Sequence, residues 1–260
     1  MSRFGNIEFQ IDGAVATLTM NRPKKRNAFD VPMLMEMLEA TQEIDRNDSI
    51  RVAILTGAGR SFSAGADLTA PLAPGRTVLD NLEEDYRPVL MSITHSPKPW
   101  ISAVNGAAAG VGSAFAMNCD LTVMAEDAFL YQAFTAIGLI PDGGATWHLA
   151  RTIGRKRAYE LIVTGEKLMA DRCLALGLCN RVVAADRLLE ETTDWARELA
   201  AKAPLSLRYA KASLMTALES DLDTSYSREA SLQQTCAESQ DALEGVRAFS
   251  EKRSPVFVGR

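Results

Sequence analysis

The chain is predicted to fold as an α/β layer protein, because short apolar runs with strand character alternate with helical patterns as far as Arg187. A second observation is that everything after Arg187 reads as helix. At 260 residues, 47% of them hydrophobic, the chain is long enough for one well-buried core plus a smaller appendage.

The opening alternates, with Ile7, Phe9 and Ile11 before Asp12-Gly13 and Val15, Thr17 and Thr19 after it, which predicts a β-hairpin closed by a tight turn. From Asp30, a good N-cap with Pro32 tolerated in the first turn, Leu34, Met37, Leu38 and Ile44 recur at helical spacing against Glu36, Glu43 and Asp45. The runs from Arg51 to Thr56, Pro99 to Val104 and Asp120 to Met124 are short and apolar, with helical patterns between them. The stretch from Thr69 to Gly75 reads as a loop. Helical periodicity then returns over Leu188 to Leu199, Leu205 to Leu218 and Ser227 to Ser250. Such helices must cover the core or another subunit, so an oligomer is expected.

Composition excludes several classes of function. Lys+Arg 28 against Asp+Glu 33 gives a net charge of -5, without the basic excess that binds nucleic acid. No stretch has the length of a membrane span and the first ten residues lack an apolar core, so no membrane association and a cytoplasmic location are expected. Cys119, Cys173, Cys179 and Cys236 show no CxxC spacing, which predicts free thiols, no disulfide and no zinc.

Two segments have the composition of ligand-approach loops. Gly57 to Leu68 (GAGRSFSAGADL) follows a strand and is rich in small residues, which let a ligand come close to the backbone. Taken alone it is also a turn entering a helix, with Asp67 as cap. Val104 to Ala114 (VNGAAAGVGSA) has the same build, and close helix packing explains its composition equally well. Two such turns in one domain could aim one N–H each at a shared oxygen, which is the layout of an oxyanion hole.

The ordered set Met20-Asn21-Arg22-Pro23 with Asn27-Ala28-Phe29, Phe62 to Leu68, Ala103 to Gly106, Gly138 to Pro141, Leu161 to Gly165, Ala175 to Leu178 and the tail Ala248-Phe249 with Pro255-Val256-Phe257 resembles the crotonase (enoyl-CoA hydratase/isomerase) superfamily over nearly the whole chain. The resemblance implies a crotonase-like ββα spiral core over residues 1–195 and a C-terminal helical trimerisation region over 196–260. It implies an acyl-CoA thioester as partner, with coenzyme A part of the substrate and no separate cofactor or metal, and a homo-oligomer that is a trimer or a dimer of trimers.

Residue by residue, it implies that the N–H groups of Ala66 and Val111, the latter after Gly110, hold the thioester oxygen. Ser63, Ala64, Ala66, Asp67 and Leu68 would bind the adenine and pantetheine arm through the backbone. Lys24 or Arg26 would meet the phosphates, although Lys24, Lys25 and Arg26 read equally as a solvated turn. Phe249 and Lys252 match positions that cover the adenine of a neighbouring subunit.

The two Glu residues that activate water in hydratases of this family fall on Ala114 and Phe134, neither of which can move a proton. Phe134 is expected in the substrate pocket instead. The same register brings Asp142 to a position where double-bond isomerases and a hydrolytic dehalogenase carry an acidic catalytic residue. Asp142 is therefore the expected base, although Pro141-Asp142-Gly143-Gly144 is also how a helix N-cap is written. A helix N-terminus would lower its pKa, and the apolar neighbours Phe134, Ile140 and Trp147 would raise it.

The expected activity is a double-bond isomerisation of a medium-length or ring-derived enoyl-CoA through a thioester enolate. The alternatives are a hydratase that uses one carboxylate and an acyl-CoA-binding member without catalysis. Residues 69–87 are expected to form part of the acyl pocket. His148 is expected to pack or cap and His95 to lie in a turn beside Ser96-Pro97; Tyr131 and Ser113 could line the acyl pocket but read rather as ordinary packing, and Glu83, Glu84 and Asp85 are expected to form a solvated helix face.

Overall fold

A computed structural model describes residues 3–260. The opening hairpin is present as β1 (Ile7–Asp12) and β2 (Val15–Met20), with Gly13 at φ 58° in the two-residue turn. Helix α1 (Val31–Arg46) starts as expected, the Asp30 carboxylate accepting from the Met33 N–H. It buries Met33, Leu34, Met37 and Ile44 on one face, each worth about 1.5–3 kcal/mol of transfer free energy.

The chain continues through β3 (Val52–Gly57), β4 (Ser61–Ser63), α2 (Val78–Asn81), a π-helical turn (Leu82–Tyr86) and α3 (Arg87–Thr94). Then come β5 (Trp100–Val104), β6 (Ala107–Ala109), α4 (Val111–Asn118), β7 (Leu121–Ala125), β8 (Phe129–Tyr131), α5 (Ala145–Thr164), β9 (Lys167–Met169), α6 (Ala170–Ala175) and β10 (Arg181–Val183). The last elements are α7 (Leu188–Ala200), α8 (Pro204–Ala217), α9 (Leu222–Ala237) and α10 (Gln240–Glu251).

Two sheets result. The larger has the order β1-β2-β3-β5-β7-β10 and is parallel apart from its opening hairpin. The smaller has the order β4-β6-β8-β9, with β4, β6 and β8 parallel. Each turn of the chain therefore lays one strand in each sheet. Strands β3 and β5 are wholly buried: α7 and β4 contact both, and α4 also contacts β5.

Two departures from the sequence reading have local causes. Residues Ser227 to Ser250 do not form one helix, because Ser239 caps the start of α10 by accepting from the Ala242 N–H. A helix that the sequence reading did not mark follows soon after the Thr69–Gly75 loop, since Thr77 and Asp80 form a reciprocal capping box that starts α2. Glu83 and Glu84 are exposed, as a solvated helix face requires, and pair with Arg87 and Arg76, whereas Asp85 is largely covered against Arg76. Helix α7 runs through the 195/196 boundary and packs on β3 and β5.

Cys119, Cys173 and Cys179 are buried free thiols and Cys236 is half-buried. Among the described residues no helix is long and apolar enough to cross a membrane. The C-terminal helices leave Leu222, Tyr226, Leu243, Val246 and Phe249 exposed.

Candidate active site

The site is built where neighbouring strands of the small sheet end. Strands β4 and β6 lie side by side and parallel, Ser61 against Ala107 and Ser63 against Ala108. Their C-terminal loops therefore leave in the same direction. Gly65 and Gly110 bring those loops into contact, for a Cβ on Gly65 would stand 2.8 Å from the Ala109 carbonyl oxygen and 3.6 Å from the Gly110 Cα. Both have positive φ, 92° and 53°, which side chains disfavour.

This arrangement exposes one N–H in each loop. Phe29 donates to the Gly65 carbonyl and accepts from the Asp67 N–H, both at 2.8 Å, in a parallel bridge centred on Ala66. Ala66, between them, turns its own N–H away from Phe29. Val111 is the first residue of α4, so its N–H has no partner in the helix and the helix dipole adds to its pull on an anion. The first loop does not enter a helix. Asp67 is not a helix cap; its carboxylate closes a turn on the Thr69 N–H at 3.1 Å and hydroxyl at 2.6 Å.

A buried polar frame holds the first loop. Asn27 donates to the Ala58 and Ser61 carbonyls, and Asn105 to those of Gly57 and Gly59. The Ser63 hydroxyl donates to the Asn27 carbonyl and accepts from the Gly65 N–H, so that side chain is fully engaged. Arg22 reaches both Asp30, at 2.8 Å, and Asp67, at 3.0 Å. The Thr69 hydroxyl first, and then the Thr69 N–H and Arg22, hold the Asp67 carboxyl below the usual carboxylate range. With the Arg22 and Asp67 side chains only 16% and 6% exposed, Arg22→Gln is expected to destabilise the protein by roughly 2–4 kcal/mol, read as a lower urea midpoint.

Asp142 stands beside the second loop. A Cβ on Gly143 would meet Ala114 Cβ at 2.8 Å, Val111 Cγ2 at 3.0 Å and Leu90 Cδ1 at 3.3 Å, which seats the turn on the first half of α4. Gly143 and Gly144, with φ 60° and 84°, carry the chain into α5. Gly144 is the N-cap and no side chain caps this helix, so Asp142 is not the cap. Its Oδ1 is buried with no hydrogen-bond partner among the described residues. Burial pushes the Asp142 carboxyl up to about 6, against a weaker opposing pull from its own backbone N–H. The dry surroundings win over the helix terminus. Ile140 has no part in this, being 81% exposed.

Ala114 is wholly buried under Gly143, and Phe134 is buried with its ring edge 3.9 Å from where a Gly110 Cβ would lie. The buried Tyr86 packs edge-on against Phe29. Its hydroxyl pKa is raised, by burial first and then by the Asp142 charge. Ser113 does not line a pocket, as it is buried and bonded to the Gly110 carbonyl and Gln132. His148 packs on Trp147 at 4.8 Å, and burial lowers its pKa to about 4.

Lys24 and Arg26 are exposed on a turn whose Arg26 carbonyl accepts from the Ala64 N–H, next to the Ala66 loop. Leu68 is 73% exposed and Phe249 86%. Lys252 ends α10 with φ 55°. The sequence reading missed the ties made by Arg22, Asn27 and Asn105, although all three lie in the motifs it quoted; Asn118 and Tyr86 carried no such signal.

Known proteins share this architecture. Residues 10–260 match the family model described as enoyl-CoA hydratase/isomerase. The chain is 38% identical over 254 residues to the 1,2-epoxyphenylacetyl-CoA isomerase of Escherichia coli K12, covering 96% of this chain and 97% of that one. It is 35% identical to a probable enoyl-CoA hydratase of Rhodobacter capsulatus, over 99% of each. An enoyl-CoA hydratase from Bacillus anthracis superposes with a TM-score of 0.92 at 32% identity, covering 98% of this chain and 100% of that one.

Proposed function

The chain belongs to the enoyl-CoA hydratase/isomerase family, and on that premise we propose that it is an enoyl-CoA double-bond isomerase with Asp142 as its only acid/base. The observation that carries this reading is a single buried carboxylate, raised to about 6 and without a partner on Oδ1, beside two backbone loops that each present an N–H. The thioester oxygen accepts from Ala66 and Val111. Asp142 takes a proton from C2 of a 3-enoyl-CoA, the two donors hold the dienolate, and the same carboxyl returns the proton at C4. With Ala114 and Phe134 where paired carboxylates would hold a water, hydration lacks its second group. The relative named as an isomerase of a ring-derived CoA ester supports a ring-derived or medium-length acyl group.

Coenzyme A lies along Ser63, Ala64, Asp67 and Leu68, with Lys24 or Arg26 at its phosphates. The exposed apolar side chains Leu68, Leu72, Val78 and Leu79 edge the acyl pocket. The exposed apolar faces of α9 and α10 support a trimer or a dimer of trimers, in which Phe249 and Lys252 cover a neighbour's adenine. Sedimentation is expected to give three or six times the 28.2 kDa chain mass; a stable monomer opposes this assembly.

The deciding assay incubates the protein with 3-enoyl-CoA and 2-enoyl-CoA and follows double-bond migration and water addition. Migration without hydration is expected. Hydration of 2-enoyl-CoA alone would make the protein a one-carboxylate hydratase. Binding of CoA thioesters with neither turnover would leave a binding protein.

A further inference from the structure

Behind the catalytic turn lies a buried amide that the chemistry above does not use. Asn118, the last residue of α4, is 4% exposed. Its Nδ2 donates to the Ala114 carbonyl at 2.7 Å and to the Gly143 carbonyl at 2.9 Å. Its Oδ1 accepts from the Thr94 hydroxyl at 2.8 Å. One side chain therefore joins the end of α3, the body of α4 and the turn that bears Asp142. Among the described residues no other side chain makes such a tie to the turn: α5 begins without a side-chain cap, and Gly143 and Gly144 cannot anchor through side chains.

The tie connects the two halves of the proposed site. Helix α4 starts at Val111, whose N–H is one oxygen donor, and Gly143 follows the base directly. A rigid helix clamped to the turn fixes the base relative to that donor. A shift of about 1 Å between a reacting proton and its acceptor can cost on the order of 100-fold in rate.

We infer that Asn118 is a positioning residue, which sets the reach of Asp142 from the Val111 N–H through its double hydrogen bond to Ala114 and Gly143. The inference rests on the isomerase reading of Asp142 and Val111. The competing account is that Asn118 merely finishes a helix, bonding a terminal carbonyl as such residues do. The long-range bond to Gly143 distinguishes the two, because only a clamp affects the turn.

The test is Asn118→Leu, close in volume and unable to hydrogen-bond. Turnover of 3-enoyl-CoA is expected to show kcat lower by roughly 10- to 100-fold. The affinity for a saturated acyl-CoA, measured by calorimetry, should stay within about threefold, since the CoA loop is untouched. Amide hydrogen exchange should speed up at residues 142–145 and not at 63–67. A kcat within about threefold of wild type overturns the inference, as does a kcat that falls in step with affinity while exchange rises everywhere.

Should Asn118→Leu fail to fold, Thr94→Val removes only the bond that orients the amide. It should lower kcat by about 3- to 10-fold at unchanged affinity, and an unchanged kcat overturns the clamp. Absence of turnover by the wild-type protein would instead sink the isomerase reading. Exchange at 142–145 then judges the clamp by itself, with an unchanged rate in either variant counting against it.

Discussion

Asp142→Asn is expected to abolish isomerisation while making the protein more stable at neutral pH. The first effect follows from removing the carboxylate that stands beside the two loops without a partner on Oδ1 among the described residues, Asp67 being tied to Thr69 and Arg22, with a loss of roughly 10²- to 10⁴-fold in kcat. The second follows from the direction of its pKa. Burial raises the carboxyl to about 6 in the folded protein, from 3.8. Between those values the folded chain holds a proton that the unfolded chain releases. The stability this confers is complete below the unfolded value and is lost as pH rises through about 6.

At pH 7 the ionised carboxylate in dry surroundings is therefore a liability, and a neutral amide of the same shape relieves it. A shift of about two pKa units corresponds to about 3 kcal/mol at most, and partial solvent contact reduces this to about 2 kcal/mol. Calorimetric melting should show the Asp142→Asn variant melting several degrees higher than wild type at pH 7, with the gap closing toward pH 4. A variant that is inactive and also less stable at pH 7 would mean the carboxylate is paired in solution. In the wild type, kcat/KM should fall on the acid side with an apparent pKa near 6, because the base must be ionised.

Gly65→Ala is expected to produce the second large effect, through the backbone alone. At φ 92° an alanine is strained by roughly 1–3 kcal/mol, and its Cβ would stand 2.8 Å from the Ala109 carbonyl oxygen. The obstacle is backbone, so relief requires the loop carrying Ala66 to withdraw from Gly110. That rotates one of the two N–H donors off its target, for a loss of about 10²- to 10³-fold in kcat. Gly13→Ala is the control, with φ 58° in the opening hairpin and no atom within 4 Å of its Cβ. It should lose stability and keep its rate. Equal rates for Gly65→Ala and wild type would remove Ala66 from the oxyanion hole.

The sequence was legible where a pattern has enough residues to repeat. The hairpin and the Asp30-capped α1 carry periods over five or more positions, and β3 and β5 are continuous, largely apolar runs of six and five residues. Strands β4, β6, β8 and β9 have three residues each, too short for alternation to appear, so the second sheet was invisible. Thr77-Val78-Leu79-Asp80 did carry a capping-box signal, hidden by the loop-like run before it.

The site shows the same division. Ala66, Val111 and Asp142 were named through family likeness, and the structure sets the loops that carry them against one another, Gly65 by Gly110 and Gly143 by Val111. The direction of the Asp142 pKa could not be read, because it depends on whether the helix starts at Asp142 or after Gly144. Asn118 left no local trace, since two of its three partners, Thr94 and Gly143, are more than twenty residues away.

The unpaired Oδ1 of Asp142 also bears on stereochemistry. On the proposed isomerase reading, a lone carboxylate held on one side of a planar dienolate can only collect and deliver on that side, so the 1,3-shift is expected to be suprafacial. On the same reading, a proton carried on the buried Oδ1, which has no hydrogen-bond partner among the described residues, is expected to go back to carbon before bulk water replaces it. The hydrogen arriving at C4 would then be largely the one that left C2, and the geometry of the new double bond would be set by how the acyl chain lies against that single face.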